Sequence, residues 1–221
     1  MDQSNISSKE ISIQVSLSGF SFNGSPWYPA ERVFTMPELQ RRYEKVEISL
    51  LTPKVALVPD AFLEPSRARQ ALSEVVSLRD TDQVETVAVP SLGATLVYSN
   101  SLDESLSRVL SQTVLNTAGE PSRVLPEMYY LLRQLGSLPD YNKIVASWHS
   151  GYLHLVIGQG RSLCLANVYE APDFTTAQYF LFLGLKKLQL NPEVSTVCFR
   201  TPLDLDSEMS LYRYFKSVVQ L

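Results

Sequence analysis

A chain of 221 residues, 45% of them hydrophobic and 19% charged, can bury a full core, and its length suits one large domain or two lobes of about 100 residues each. Its formal net charge of -4 excludes a global basic field, so neither nucleic acid nor an anionic membrane surface is an expected partner. The polar start "MDQSNISSKE" lacks the basic and apolar regions of a secretory leader, and the longest apolar block, "YFLFLGL", stops at Lys186 and Lys187, far short of a bilayer's width; a cytoplasmic protein with no membrane partner is expected.

In chain order, residues 1–10 read as a disordered tail. "ISIQVSL" then alternates Ile11, Ile13, Val15 and Leu17 with polar residues, the period of a half-buried strand, and "SGFSF" turns back into a second. After the Pro-rich "SPWYPAERVF", Pro37 stands at the predicted start of a helix through "PELQRRYEKVEISLL". "KVALVPDAFL" reads as a strand broken by Pro59. Pro65 opens a helix with Ala68, Leu72, Val75 and Val76 on one stripe, "QVETVAVPSLGATLVYSN" supplies one or two strands, and "LDESLSRVLSQTV" forms a helix gathering Leu102, Leu106, Val109 and Leu110. This alternation predicts a layered α/β lobe over 11–118.

The polar cluster "NTAGEPSR" marks a boundary, with a linker and helix over 119–142 and a second lobe over 143–221. That lobe opens with the plainest β signal in the chain: "KIVASWH", "YLHLVIG" and "RSLCLANVYEA", separated by Ser150-Gly151 and by Gly-Gln-Gly, read as an antiparallel meander. The helix "TTAQYFLFLGLKKLQL", capped by Asp173, Thr175 or Thr176, is apolar nearly all round from Tyr179 to Leu185 and is expected to lie buried between layers. "VSTVCFRT" gives a further strand, and Asp206 caps a last helix with Leu211, Phe215 and Val218 inward. Ser18-Gly19-Phe20 and Ser150-Gly151-Tyr152 occupy equivalent turns at the head of both halves, which points to a duplication.

The ordered set "ISIQVSLSGFSF", "VALVPDAFL", "LANVYEA" and "QYFLFLGLKKLQLNPEVSTVCF" resembles the uncharacterised Bacteroidetes family known as domain of unknown function 3822, from about Ile11 to Phe215. The resemblance implies an α/β fold of the actin-like ATPase type: duplicated ribonuclease-H-like lobes, mixed sheets and an antiparallel hairpin at the head of each. It carries no established activity. In active proteins of the actin-like class, an Asp two residues before the hairpin Gly organises Mg²⁺ or water while the turn backbone approaches phosphate. Here Leu17 and His149 occupy those positions, and no two glycines are adjacent to form an adenosine turn. Magnesium needs hard oxygen ligands, which neither residue offers.

Other chemistries find no better footing. No Gly precedes a Lys and no GxGxxG occurs; the first strands, read from Ile11, carry no carboxylate before Glu31 for two-metal hydrolysis. Asp60 reads as a turn residue, Asp80 and Asp82 as an exposed loop, and Asp204 and Asp206 as helix entry. His149 and His154 lack a third ligand and read as a cross-strand surface pair. Cys164 and Cys198 read as core residues, and "EMYYLLRQL" and "SLYRYFKSV" as amphipathic helices rather than base-stacking platforms. Trp27 and Tyr28, in a Pro-rich loop, are either a protein-contact patch or a lid over the sheet. The expected function is that of a catalytically inactive interaction or assembly module with an unidentified protein partner and no cofactor. The alternative is a degenerate nucleotide-binding protein or ATPase holding ATP and Mg through the turn amides of Gly19 and Gly151.

Overall fold

The computed structural model describes residues 9–101 and 104–221. The tail expected over 1–10 lies outside the described residues as far as residue 8, and Glu10 already opens the first strand. Strands β1 (Glu10–Ser16) and β2 (Gly19–Phe22) form an antiparallel hairpin, and β3 (Lys45–Leu50) joins β1 in parallel. Ile11, Ile13, Val15, Phe20, Ile48 and Leu50 converge on one core. The helix expected from Pro37 is absent: Pro37–Gln40 makes a short 3-10 turn, and the rest of that run becomes β3. The apolar positions Val46, Ile48 and Leu50 alternate, and strand pairing overrides the local helical charge pattern.

The next segment departs further from a single layered lobe. β4 (Val55–Pro59), α1 (Ala68–Ser73), β5 (Val84–Val89) and β6 (Ala94–Ser99) build a separate antiparallel sheet, order β4-β6-β5, with α1 covering it through Ala68 and Leu72. Pro65 opens a 3-10 turn before α1, and Val75 is exposed beyond it. Helix α2 (Glu104–Thr113) returns to the first core through Leu106, Val109 and Leu110, whereas Leu102 lies outside the described residues. Within the stretch expected as linker and helix, β7 (Val124–Pro126) adds a parallel strand to β3, and α3 (Glu127–Ser137) follows at once.

The predicted meander is present as β8 (Asn142–His149), β9 (Tyr152–Gln159) and β10 (Ser162–Glu170). Ser150 and Gly151 both have positive φ, 51° and 80°, as a two-residue type I′ hairpin requires. Helix α4 (Phe174–Lys187) is capped by the Asp173 carboxylate, which accepts from the Thr176 N–H at 2.7 Å. It covers only one face of the sheet, through Ala177, Leu181 and Leu185, and Tyr179 stays 61% exposed. The continuous apolar run therefore does not place α4 between layers; at its sides Phe180 stacks on Tyr169 and Phe182 meets Tyr214 edge-on.

Strand β11 (Thr196–Phe199) lies parallel to β8, α5 (Leu205–Tyr212) is capped by Asp204, and β12 (Ser217–Gln220) lies parallel to β11. The last helix thus ends before Phe215, and Val218 reaches the core from a strand rather than from a helix. The first sheet has the order β2-β1-β3-β7, and the second, beyond its outer β10, has β9-β8-β11-β12. Each places a hairpin's second strand outside its first and two parallel strands on the other side. The isolated bridge of Phe20 with Tyr28 stands in the first lobe where the long β10 stands in the second.

Candidate functional site

The two hairpin turns meet. Ser18 Oγ lies 2.9 Å from His149 Nε2 and 2.9 Å from Ser150 Oγ, and Ser16 Oγ joins it at 3.0 Å. Trp27 lies flat on the imidazole of His149, with centroids 3.5 Å apart and planes inclined by 9°. Burial lowers the His149 pKa to about 4, so the ring is neutral at pH 7. Leu17, at the tip of the first turn, is 62% exposed and offers no oxygen. The point where the lobes face one another is therefore closed by hydroxyls, a neutral imidazole and an indole, without a carboxylate.

Each turn glycine has a local reason to be there. Gly19 has φ +143°, and a Cβ on it would stand 2.0 Å from the Tyr28 carbonyl oxygen. Phe20 N–H donates to that oxygen and Tyr28 N–H donates back to Phe20, so the close approach at Gly19 serves the Tyr28 bridge. Tyr28 stacks on Phe22 and tilts against Phe20, and both Trp27 and Tyr28 are half-buried. Tyr28 packs against the first core, while Trp27 meets His149.

Behind the turns, the polar face of β1 meets the second lobe. Glu127, fully buried at the start of α3, accepts from Ser147 Oγ at 2.6 Å, from Arg200 Nη1 at 2.6 Å and from Gln14 Nε2 at 3.3 Å. Arg200 also donates to Ser12 Oγ at 3.2 Å and lies 4.9 Å from the centre of the Tyr130 ring. A buried carboxylate needs this charge and these donors. Ser12, Gln14 and Arg200 of this network line a polar cleft of about 380 Å³ together with Asn23, Arg133 and Glu47. Arg133 grips Glu47 with two hydrogen bonds of 2.7 and 2.5 Å. Burial alone would raise the Glu47 pKa, but Arg133 and Lys45 outweigh it and hold the carboxyl below its usual range.

Several sequence expectations are corrected here. His149 and His154 are not a surface pair: His154 is fully buried, because both faces of β9 are covered, and its Nε2 donates to the Thr52 carbonyl at 3.0 Å. Burial lowers its pKa, and its Nδ1 has no partner among the described residues. Asp82 is buried rather than exposed; it accepts from Lys54 Nζ at 2.5 Å and from Arg79 N–H at 2.7 Å, holding a loop. Asp60 does act in a turn, receiving the Thr95 hydroxyl at 2.8 Å. Cys198 is buried and its thiol pushed up to about 11, whereas Cys164 is only partly buried. Among the described residues no group of three His, Cys, Asp or Glu is placed to hold a metal, and no helix is long and apolar enough to cross a membrane.

Comparison with known proteins fixes the fold. A Bacteroides thetaiotaomicron VPI-5482 protein of actin-like ATPase fold and unknown function superposes with a TM-score of 0.66 at 16% identity, covering 96% of this chain and 90% of that one. The PilM-PilN type IV pilus biogenesis complex contains a chain that superposes with a TM-score of 0.54 at 11% identity, covering 96% of this chain and 88% of that one. No curated protein matches the sequence. The architecture is that of the actin-like ATPase fold, with mixed α/β lobes. The family described as "Protein of unknown function (DUF3822)" matches residues 30–218, and the chain belongs to that family.

Proposed function

We propose that this protein is a catalytically silent frame of the actin-like type that serves as a protein-interaction or assembly module. The observation that carries the reading is the direct bond between the two hairpin turns through Ser18, His149 and Ser150. Phosphate held between such turns would need free donors and a magnesium ion organised by carboxylates. Here the Ser18 hydroxyl is engaged across the lobes, the imidazole is neutral, and Trp27 covers it. The likeness to a chain of the PilM-PilN complex supports the second half of the proposal: a similarly folded protein works within an assembly.

The test is thermal unfolding with Mg-ATP, with ADP and Mg²⁺ alone as controls. A native-state ligand at a thousand times its dissociation constant adds about 4 kcal/mol of stability. The expected result is no nucleotide-specific rise in Tm. A saturable rise with Mg-ATP that Ser18→Ala or His149→Ala abolishes would overturn the proposal in favour of a nucleotide-binding protein.

A further inference from the structure

Helix α5 presents its apolar side to water. Ser207 and Leu211 face the core, while Leu205, Met209 and Tyr212, spaced i, i+4, i+7, form a stripe on the opposite face, 71%, 55% and 46% exposed. A surface helix ordinarily shows polar residues there. The stripe is flanked by charges sorted by end: Asp206 and Glu208 in the first turn, Arg213 at the C-cap and Lys216 beyond it. None of these four forms an ion pair among the described residues.

At about 100° per residue, Asp206 and Arg213 fall on the same flank of the stripe, about 20° apart around the axis, at opposite ends of the helix. A two-fold axis normal to the plane of two antiparallel helices keeps each flank facing its own copy and exchanges the ends. Asp206 of one molecule then meets Arg213 of the other, twice, while Met209 lies near the axis with Leu205 and Tyr212 closing the stripe on either side. A uniformly acidic or basic partner would answer only one end. We infer that α5 is the contact through which two copies of this chain associate as an antiparallel, two-fold symmetric dimer. The surface is small, so the association is weak and concentration-dependent. It is independent of whether the lobes bind nucleotide.

Sedimentation velocity over a concentration series tests this on the full chain. The wild type is expected to shift from monomer to dimer, with the dissociation constant rising at high salt. Met209→Asp sets two carboxylates against each other at the axis and abolishes the dimer without lowering Tm, since the side chain faces solvent. Asp206→Arg and Arg213→Asp each weaken the dimer by about tenfold or more, and the double exchange restores it. A chain that stays monomeric at millimolar concentration, a dimer that survives Met209→Asp, or a charge exchange without rescue each overturns the inference.

Discussion

His149 combines three constraints in one ring: a hydrogen bond to Ser18, the stacked face of Trp27, and burial that lowers its pKa to about 4. The unfolded imidazole titrates at about 6.5. Between those values the unfolded state binds the proton that the folded state refuses, so this contribution to stability is complete above about 6.5 and falls as pH drops toward 4. Tm is therefore expected to decline from pH 7 to pH 4.5, with a smaller decline in His149→Asn; an unchanged pH profile in that variant would refute the assignment. Trp27→Ala removes the stacked indole and is expected to destabilise by about 2 kcal/mol, measurable by urea unfolding. The sequence placed Trp27 outside any periodic segment and His149 beside a turn. It carried no signal that the two rings touch, because nothing local links a Pro-rich loop to a hairpin in the other half.

At the scale of elements, the first hairpin depends on Gly19. A methyl group there meets the Tyr28 carbonyl at 2.0 Å in a backbone region hostile to L side chains. Gly19→Ala is expected to cost about 2 kcal/mol or more, and Gly24→Ala, which strains only a left-handed backbone (φ +73°) with nothing within 4 Å, about 1 kcal/mol; comparing their chemical denaturation checks this. The meander β8–β10 was legible because alternation and turn glycines coincide, and Asp173 declared the start of α4. The strand β3 was masked by the charged run before it, and α4 was misplaced because an apolar sequence states that a helix can be buried, not how many layers cover it. The separate sheet of β4, β5 and β6 was legible as strands but not as a sheet of its own, since strand pairing is a choice among edges that periodicity does not encode.

For the whole molecule, the lobes meet where Gln14 and Ser12 of β1 bond the Glu127–Arg200 pair, with Ser147 completing the carboxylate's shell. Arg200→Ala would leave a fully buried carboxylate without its cation and is expected to cost about 3 to 5 kcal/mol in equilibrium unfolding, whereas Arg133→Ala, which removes a half-exposed cation and leaves Glu47 paired with Lys45, costs about 1 kcal/mol. Equal losses would refute the larger cost assigned to the buried pair. By itself the sequence determined the hairpins, most strands, the resemblance to an actin-like frame and the want of carboxylates at Leu17 and His149. These follow from side-chain chemistry and short-range periodicity. Only the tertiary structure decided that Ser18 bonds His149 across 131 positions and that Gln14 reaches the Arg200 carbonyl across 186. A hydrogen bond is made or lost within a few tenths of an ångström, and no pattern along the chain fixes the approach of two lobes to that tolerance.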